Sequence, residues 1–173
     1  MRFFLLLGLG ALCISCAQPQ APQSPSEAAW QKKIKALVDE QEAQRVPVSY
    51  VSMGCTGHGN VGYIHSYAVQ EPIYGQVSRR MVGYGLNCGG TVAAGYPVPD
   101  TWTPGMKVKV RWKPDGREWI EKTTAILPYS QVGMVYVHFF PNDEVRVVVS
   151  TVGALHPDHP LPQSLIVPPP EPD

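Results

Sequence analysis

Two hydrophobic periods succeed one another along the chain. Trp30, Ile34, Leu37 and Val38 recur at i, i+4, i+7 and i+8, which puts them on one face of a helix. Ser24-Pro25-Ser26-Glu27 just before them is a strong helix start: a serine to cap, a proline suited to the first helical position, and a glutamate completing a capping box. Pro47 ends the pattern, so a helix is predicted over 24–46. Lys32, Lys33 and Lys35 come early in it and Asp39, Glu40 and Glu42 late, the reverse of what the helix dipole favours. Such a helix depends on docking its apolar stripe, most simply on its own domain.

From Val48 the period drops to two. Over 106–113, Val108, Val110 and Trp112 alternate with Lys107, Lys109, Arg111 and Lys113, giving one apolar and one basic face. Pro114-Asp115-Gly116 is a turn, and 118–127 returns as a strand carrying Trp119. Residues 132–140 and 144–152 form a further pair across Pro141-Asn142-Asp143, and the run Val145–Val149 reads as a central strand buried on both faces. Looser patterns lie at 48–53, 62–69 and 74–84. Thirteen of the 16 glycines fall between Gly54 and Gly133, where turns and bulges use them. The expected fold is mainly β: a small antiparallel β-sandwich or strongly bent sheet of six to eight strands, with one N-terminal amphipathic helix.

The ends change the domain plan. Residues 3–12 are apolar or glycine after Arg2, too short a run to stay in a bilayer as a spanning helix and suited to a secretory signal. Ser15-Cys16 follows directly, which resembles a bacterial lipobox with Cys16 as the lipidated residue, although Cys13 stands three places before it where leucine is usual. Ordinary cleavage after Ala17 is the alternative. Ala17 is not the aspartate that resembles an inner-membrane retention signal, so periplasmic exposure on the outer membrane is expected. Ten of the 18 prolines lie in 17–28 and 157–173. The expected plan is therefore a lipoprotein signal peptide at 1–15, a tether at 16–23, the helix at 24–46, a β domain at 47–155 and a Pro-rich extended tail at 156–173.

Charge and chemistry then narrow the function. The 173 residues carry 14 basic and 14 acidic side chains, and loss of Arg2 with the signal leaves a net charge of about −1. That balance argues against nucleic-acid binding, which needs a basic surface to displace counterions. Gly57-His58-Gly59-Asn60-Val61-Gly62 matches the dinucleotide fingerprint, but Tyr63–Tyr67 after it alternates like a strand where a helix N-terminus is required, so it reads as a glycine loop. In an exported chain Cys55 and Cys88 are most simply a disulfide; the sharper alternative makes one a nucleophile with His58, His65 or His138 as its base. His156-Pro157-Asp158-His159 offers metal ligands but opens a proline tail, and it reads as a solvated turn. No serine elbow, zinc-protease motif, P-loop or C-x-x-C is present. No catalytic, metal or cofactor residue is predicted, and a binding protein is favoured over an enzyme.

Two longer stretches carry a resemblance. Trp102-Thr103-Pro104-Gly105-Met106-Lys107-Val108-Lys109-Val110-Arg111-Trp112 is similar to a W-x-P-G-x-K-V-x-V-x-W element. The stretch from Val135-Tyr136-Val137-His138-Phe139-Phe140 through Arg146 to Ser150 is similar to Y-V-H-F-F-P-D-G-x-V-R-V-V-V-S, with Asn142-Asp143-Glu144 in place of the usual D-G turn. His159-Pro160-Leu161 resembles a short closing motif. Together they resemble a family of small bacterial lipoproteins of unknown function, often encoded beside type VI secretion phospholipase effectors, the Tli-type lipase immunity proteins. The resemblance covers roughly 51–161. It implies an immunity protein in the periplasm that binds and blocks a cognate phospholipase effector. The candidate contacts are Tyr74, Arg79, Arg80, Tyr96 and Trp102, in aromatic and glycine-rich stretches. The alternative is a structural or polymer-binding envelope lipoprotein.

Overall fold

A computed structural model describes residues 25–43, 45–72 and 81–168. Cys16, the tether and the candidate contacts Tyr74, Arg79 and Arg80 lie outside the described residues. The chain divides into two units, Met1–Arg45 and Val46–Asp173. In the first, α1 (Pro25–Ala43) opens on the proline that the capping pattern picked out. Lys35 and Asp39 pair across one turn at 3.0 Å, and the stripe Trp30, Ile34, Leu37 and Val38 is exposed. Among the described residues no helix is long and apolar enough to cross a membrane.

Among its described residues the second unit holds eight strands: β1 (Val48–Gly57), β2 (Ile64–Gln70), β3 (Met81–Leu86), β4 (Ala93–Pro99), β5 (Lys107–Pro114), β6 (Ile120–Ala125), β7 (Met134–Phe140) and β8 (Glu144–Ser150). They form two four-stranded sheets in the orders β4-β1-β7-β8 and β3-β2-β5-β6. The architecture is mainly β, as the period-two patterns predict. Not every pair is antiparallel, however: β1 runs parallel to β7, with Met53 opposite Val135 and Gly57 opposite Phe139. A parallel pair needs a long crossover, and the whole of sheet β3-β2-β5-β6 lies between β1 and β7 in sequence.

The core forms where the apolar faces of the two sheets meet. β5 shows the cause most directly, because Val108, Val110 and Trp112 are buried while the basic residues between them are not. Trp112 and Tyr67 of one sheet meet Phe139 of the other at ring-centroid distances of 5.5 and 5.8 Å. On the basic face Lys109 pairs with Glu121 at 2.9 Å, and the Arg111 guanidinium lies 4.8 Å from the centre of the Trp119 ring. β4 has no counterpart among the predicted strands. Its Pro97 and Pro99 argue against a strand, but β4 is an edge of its sheet, where proline's missing N–H costs no ladder bond.

β8 corrects another expectation: it is an edge strand and not a central one. It is nonetheless buried along most of its length. Its inner side chains Val145, Val147 and Val149 join the main core. Its free edge is met by the Ile126–Val147 bridge, with the Leu127 N–H donating to the Val147 carbonyl at 3.1 Å. On its outer side, Val148 packs with Phe140 and Leu161 in a second, smaller core. The β7–β8 turn places Asn142 and Asp143 at φ of 61° and 62°, the left-handed region these residues tolerate better than most. The Asp143 carboxylate accepts two bonds from the Arg117 guanidinium, at 2.6 and 2.7 Å, which lower its pKa from the ordinary carboxylate value.

Candidate functional site

The second core marks the most unusual chemistry in the molecule. Strand alternation that sends Val137 and Phe139 into the main core sends Tyr136, His138 and Phe140 to the opposite face of the sheet. β1 ends beside β7, with Thr56 opposite His138, and the His58 N–H donates to the Phe139 carbonyl at 2.9 Å. The ring of His58 thus stacks on Phe140 with centroids 4.1 Å apart and planes 5° apart. Residues 154–168 lie over this face and bring His159 to 5.1 Å from His138 and 5.0 Å from Tyr136, again as ring-centroid distances. All three histidines are buried, His58 and His138 completely.

Hydrogen bonding fixes the proton positions of His58 and His138. His58 Nδ1 is 2.6 Å from the Leu165 carbonyl, which can only accept, so neutral His58 carries its proton on Nδ1. Its Nε2 lone pair then accepts from His138 Nδ1 at 2.7 Å. His138 Nε2 is left as a bare lone pair, buried and without a hydrogen-bond partner among the described residues, and His159 Nε2 is likewise buried without one. His159 Nδ1 lies 2.9 Å from the Leu161 carbonyl and 3.1 Å from the Leu161 N–H, which can donate to it, so its tautomer is not fixed by these bonds. No set of three His, Cys, Asp or Glu side chains among the described residues is arranged to hold a metal ion.

Burial dominates the electrostatics. It depresses His138 to about 3, with His58 and His159 adding to the effect, and it lowers His58 and His159 as well. Above about pH 6.5 these rings are neutral in both folded and unfolded chains and the cluster costs no proton work. Below it, the unfolded chain takes up protons that the folded chain refuses, so stability falls as pH falls. Going from pH 7.5 to 5.0, His138 alone is expected to remove about 2 kcal/mol. Urea midpoints at the two pH values measure this. Replacing His138 with Gln should flatten the difference.

The other predicted site residues fall elsewhere. Cys55 and Cys88 form a disulfide with Cα atoms 5.5 Å apart, so neither is a free nucleophile. The glycine loop joins β1 to β2, strand to strand, and supplies His58. Tyr96 is fully buried, with its hydroxyl donating to the Gln70 carbonyl at 2.8 Å, which makes it a core residue and not a surface contact. Trp102 is half-buried against the core, its indole N–H donating to the Ile126 carbonyl at 2.8 Å. His65 pairs with Asp115 at 2.7 Å on the surface. His159 is not part of a solvated turn: its ring, with Leu161, anchors the proline-rich segment to the sheet.

Reading the histidines singly missed the cluster. The signal lay in their distribution, since His138 and His159 sit inside two of the resembling elements and His58 follows a strand.

Fold and site together define a disulfide-linked, two-layer β protein with a histidine-bearing second core. The chain belongs to the family described as "Protein of unknown function (DUF3304)", whose pattern matches residues 57–147. The matched segment runs from the end of β1 into β8 and includes both His58 and His138. Comparison with curated proteins and with solved structures finds no match.

Proposed function

We propose that this protein is a periplasmic immunity lipoprotein, anchored to the outer membrane through lipidated Cys16, whose β unit binds and blocks a type VI secretion phospholipase effector. The supporting observation is a pair of exposed tyrosines within the loop that the Cys55–Cys88 disulfide closes. Tyr63 and Tyr84 are 45% and 59% exposed. The chain next to Tyr63 is pinned where the Cys88 N–H donates to the Ile64 carbonyl at 3.0 Å. Tyr84 stands in the strand leading to Cys88, opposite β2, where the Gly85 N–H donates to the Ser66 hydroxyl at 3.1 Å. Aromatic side chains held on a rigid frame lose little entropy on binding and dominate interface hot spots. A standard interface of roughly 800 Å² per partner fits on a unit of this size. A lipid tether would hold the blocker at the surface where a phospholipase acts, raising its effective concentration there.

The partner to test is a candidate type VI secretion phospholipase effector. Tyr63→Ala and Tyr84→Ala are each expected to weaken its binding about 10- to 100-fold, with melting little changed because both rings are exposed. Unchanged affinity in both variants would move the contact off this surface. Failure of the protein to bind the enzyme, combined with co-sedimentation with cell wall, would replace the immunity reading with the polymer-binding one. Mass spectrometry of the mature N-terminus tests the anchor, and an unmodified start at Gln18 would refute it.

A further inference from the structure

We infer that residues 154–168 are an acid-releasable strap, latched over the outer face of sheet β4-β1-β7-β8 by the His58–His138–His159 cluster. The strap's backbone hydrogen bonds run within itself, from Gln163 to Ala154 at 3.3 Å and from Leu165 to Pro162 at 3.0 Å, and build a compact fold-back in place of a ladder on the sheet. Its grip on the sheet comes from side chains. Leu161 packs against Phe140 and Val148 with Leu165 alongside, the His159 ring lies against His138 and Tyr136, and His58 Nδ1–H donates to the Leu165 carbonyl.

That last bond is the end of a relay. His138 Nδ1–H donates to His58 and His58 Nδ1–H donates to the strap, so His58 must stay neutral at Nε2 to accept the first bond while it donates the second. A proton can enter His138 only at its buried Nε2. There it would make an imidazolium with no acceptor, facing a second ring about 5 Å away. The groups packed around His138 offer no relief. β1 presents Thr56 and the neutral His58, β7 itself presents Tyr136, and the strap presents His159. β8 presents Arg146, a cation whose guanidinium is engaged by Glu144 at 3.3 Å and the Val145 carbonyl at 3.0 Å, and Glu144 is also held by Lys122 of β6 at 3.0 Å. The strap's one carboxylate near a histidine, Asp158, lies 3.8 Å from the exposed His156.

Lifting the strap takes His159 away and opens His138 to water, where the rings regain an ordinary affinity for protons. Release and proton uptake are therefore linked. While His138 stays neutral in the latched form, each pH unit below about 6.5 raises the released population about tenfold from that ring alone. The periplasm follows external acidity, so the device would respond to the medium.

Hydrogen exchange on the mature, oxidised chain at pH 7.5 and 5.0, corrected for intrinsic rates, tests this. The expected result is a loss of protection in 154–168 of about 30-fold or more at pH 5.0, while β5 amides remain protected well beyond the strap. Unchanged protection in the strap would overturn the inference. So would equal loss in strap and β5 with no separate opening, which would mean only global acid unfolding. His138→Gln keeps a side-chain N–H for His58 and cannot titrate, and it should remove the pH step. His159→Gln serves if that variant does not fold. A folded His138→Gln variant with the wild-type step would also overturn the inference.

Discussion

Trp112→Ala is expected to cost about 3–5 kcal/mol, the range for removing a large buried aromatic ring. Trp112 is 1% exposed and lies between the sheets against Phe139. Its neighbours are themselves large and locked by strand pairing, with Tyr67 directly opposite it on β2 and Ile120 opposite it on β6. They cannot close the space without breaking register. A domain with an ordinary stability of about 5–15 kcal/mol would lose a large share of it. Urea denaturation followed by far-UV circular dichroism measures the loss. Trp30→Ala is the matched control, since Trp30 is 58% exposed in α1, and its effect is expected to stay within about 0.5 kcal/mol.

Removing the disulfide is expected to be nearly as costly. Cys55 and Cys88 are separated by 33 residues, a loop whose closure is worth about 3–4 kcal/mol on the chain-entropy account. The bond joins β1 of one sheet to the chain that follows β3 of the other. Cys55→Ser with Cys88→Ser should lower the urea midpoint without changing the folded circular dichroism spectrum. The same change should follow reduction of the wild type, and an unchanged midpoint in both cases would show that the loop is already constrained by packing alone. If Tyr63 and Tyr84 form the partner surface, the reduced protein should also bind the phospholipase more weakly, because both lie in chain segments that the bond restrains.

The strands with one wet face were legible in the sequence because alternation survives wherever only one side is buried. β5 is the plainest example, its basic residues marking solvent and its apolar ones the core. β8 was legible as a strand but not in its position. A run of consecutive valines reports burial on both sides, and here a crossing segment, not another sheet neighbour, provides the second cover. β4 was hidden by Pro97 and Pro99, whose meaning depends on an edge that only the topology defines. The disulfide was legible because its partner thiols were so few. The histidine cluster was not, because His58, His138 and His159 are 80 and then 21 positions apart, and no local pattern records that β1 and β7 lie side by side. Tyr96 and Trp102 misled in the opposite direction: an aromatic residue near glycines reads equally as a loop contact or a core anchor, and the hydroxyl and indole bonds to backbone carbonyls decide for the core.

The proposed role of this protein is to neutralise a phospholipase by binding it. Fatty-acid release from phospholipid vesicles by a candidate type VI secretion phospholipase effector, titrated with the mature, oxidised chain, tests this role. The expected result is a linear fall in activity that reaches completion at one protein per enzyme, weakened by Tyr63→Ala and Tyr84→Ala. Undiminished hydrolysis at a several-fold excess of the folded protein would contradict it.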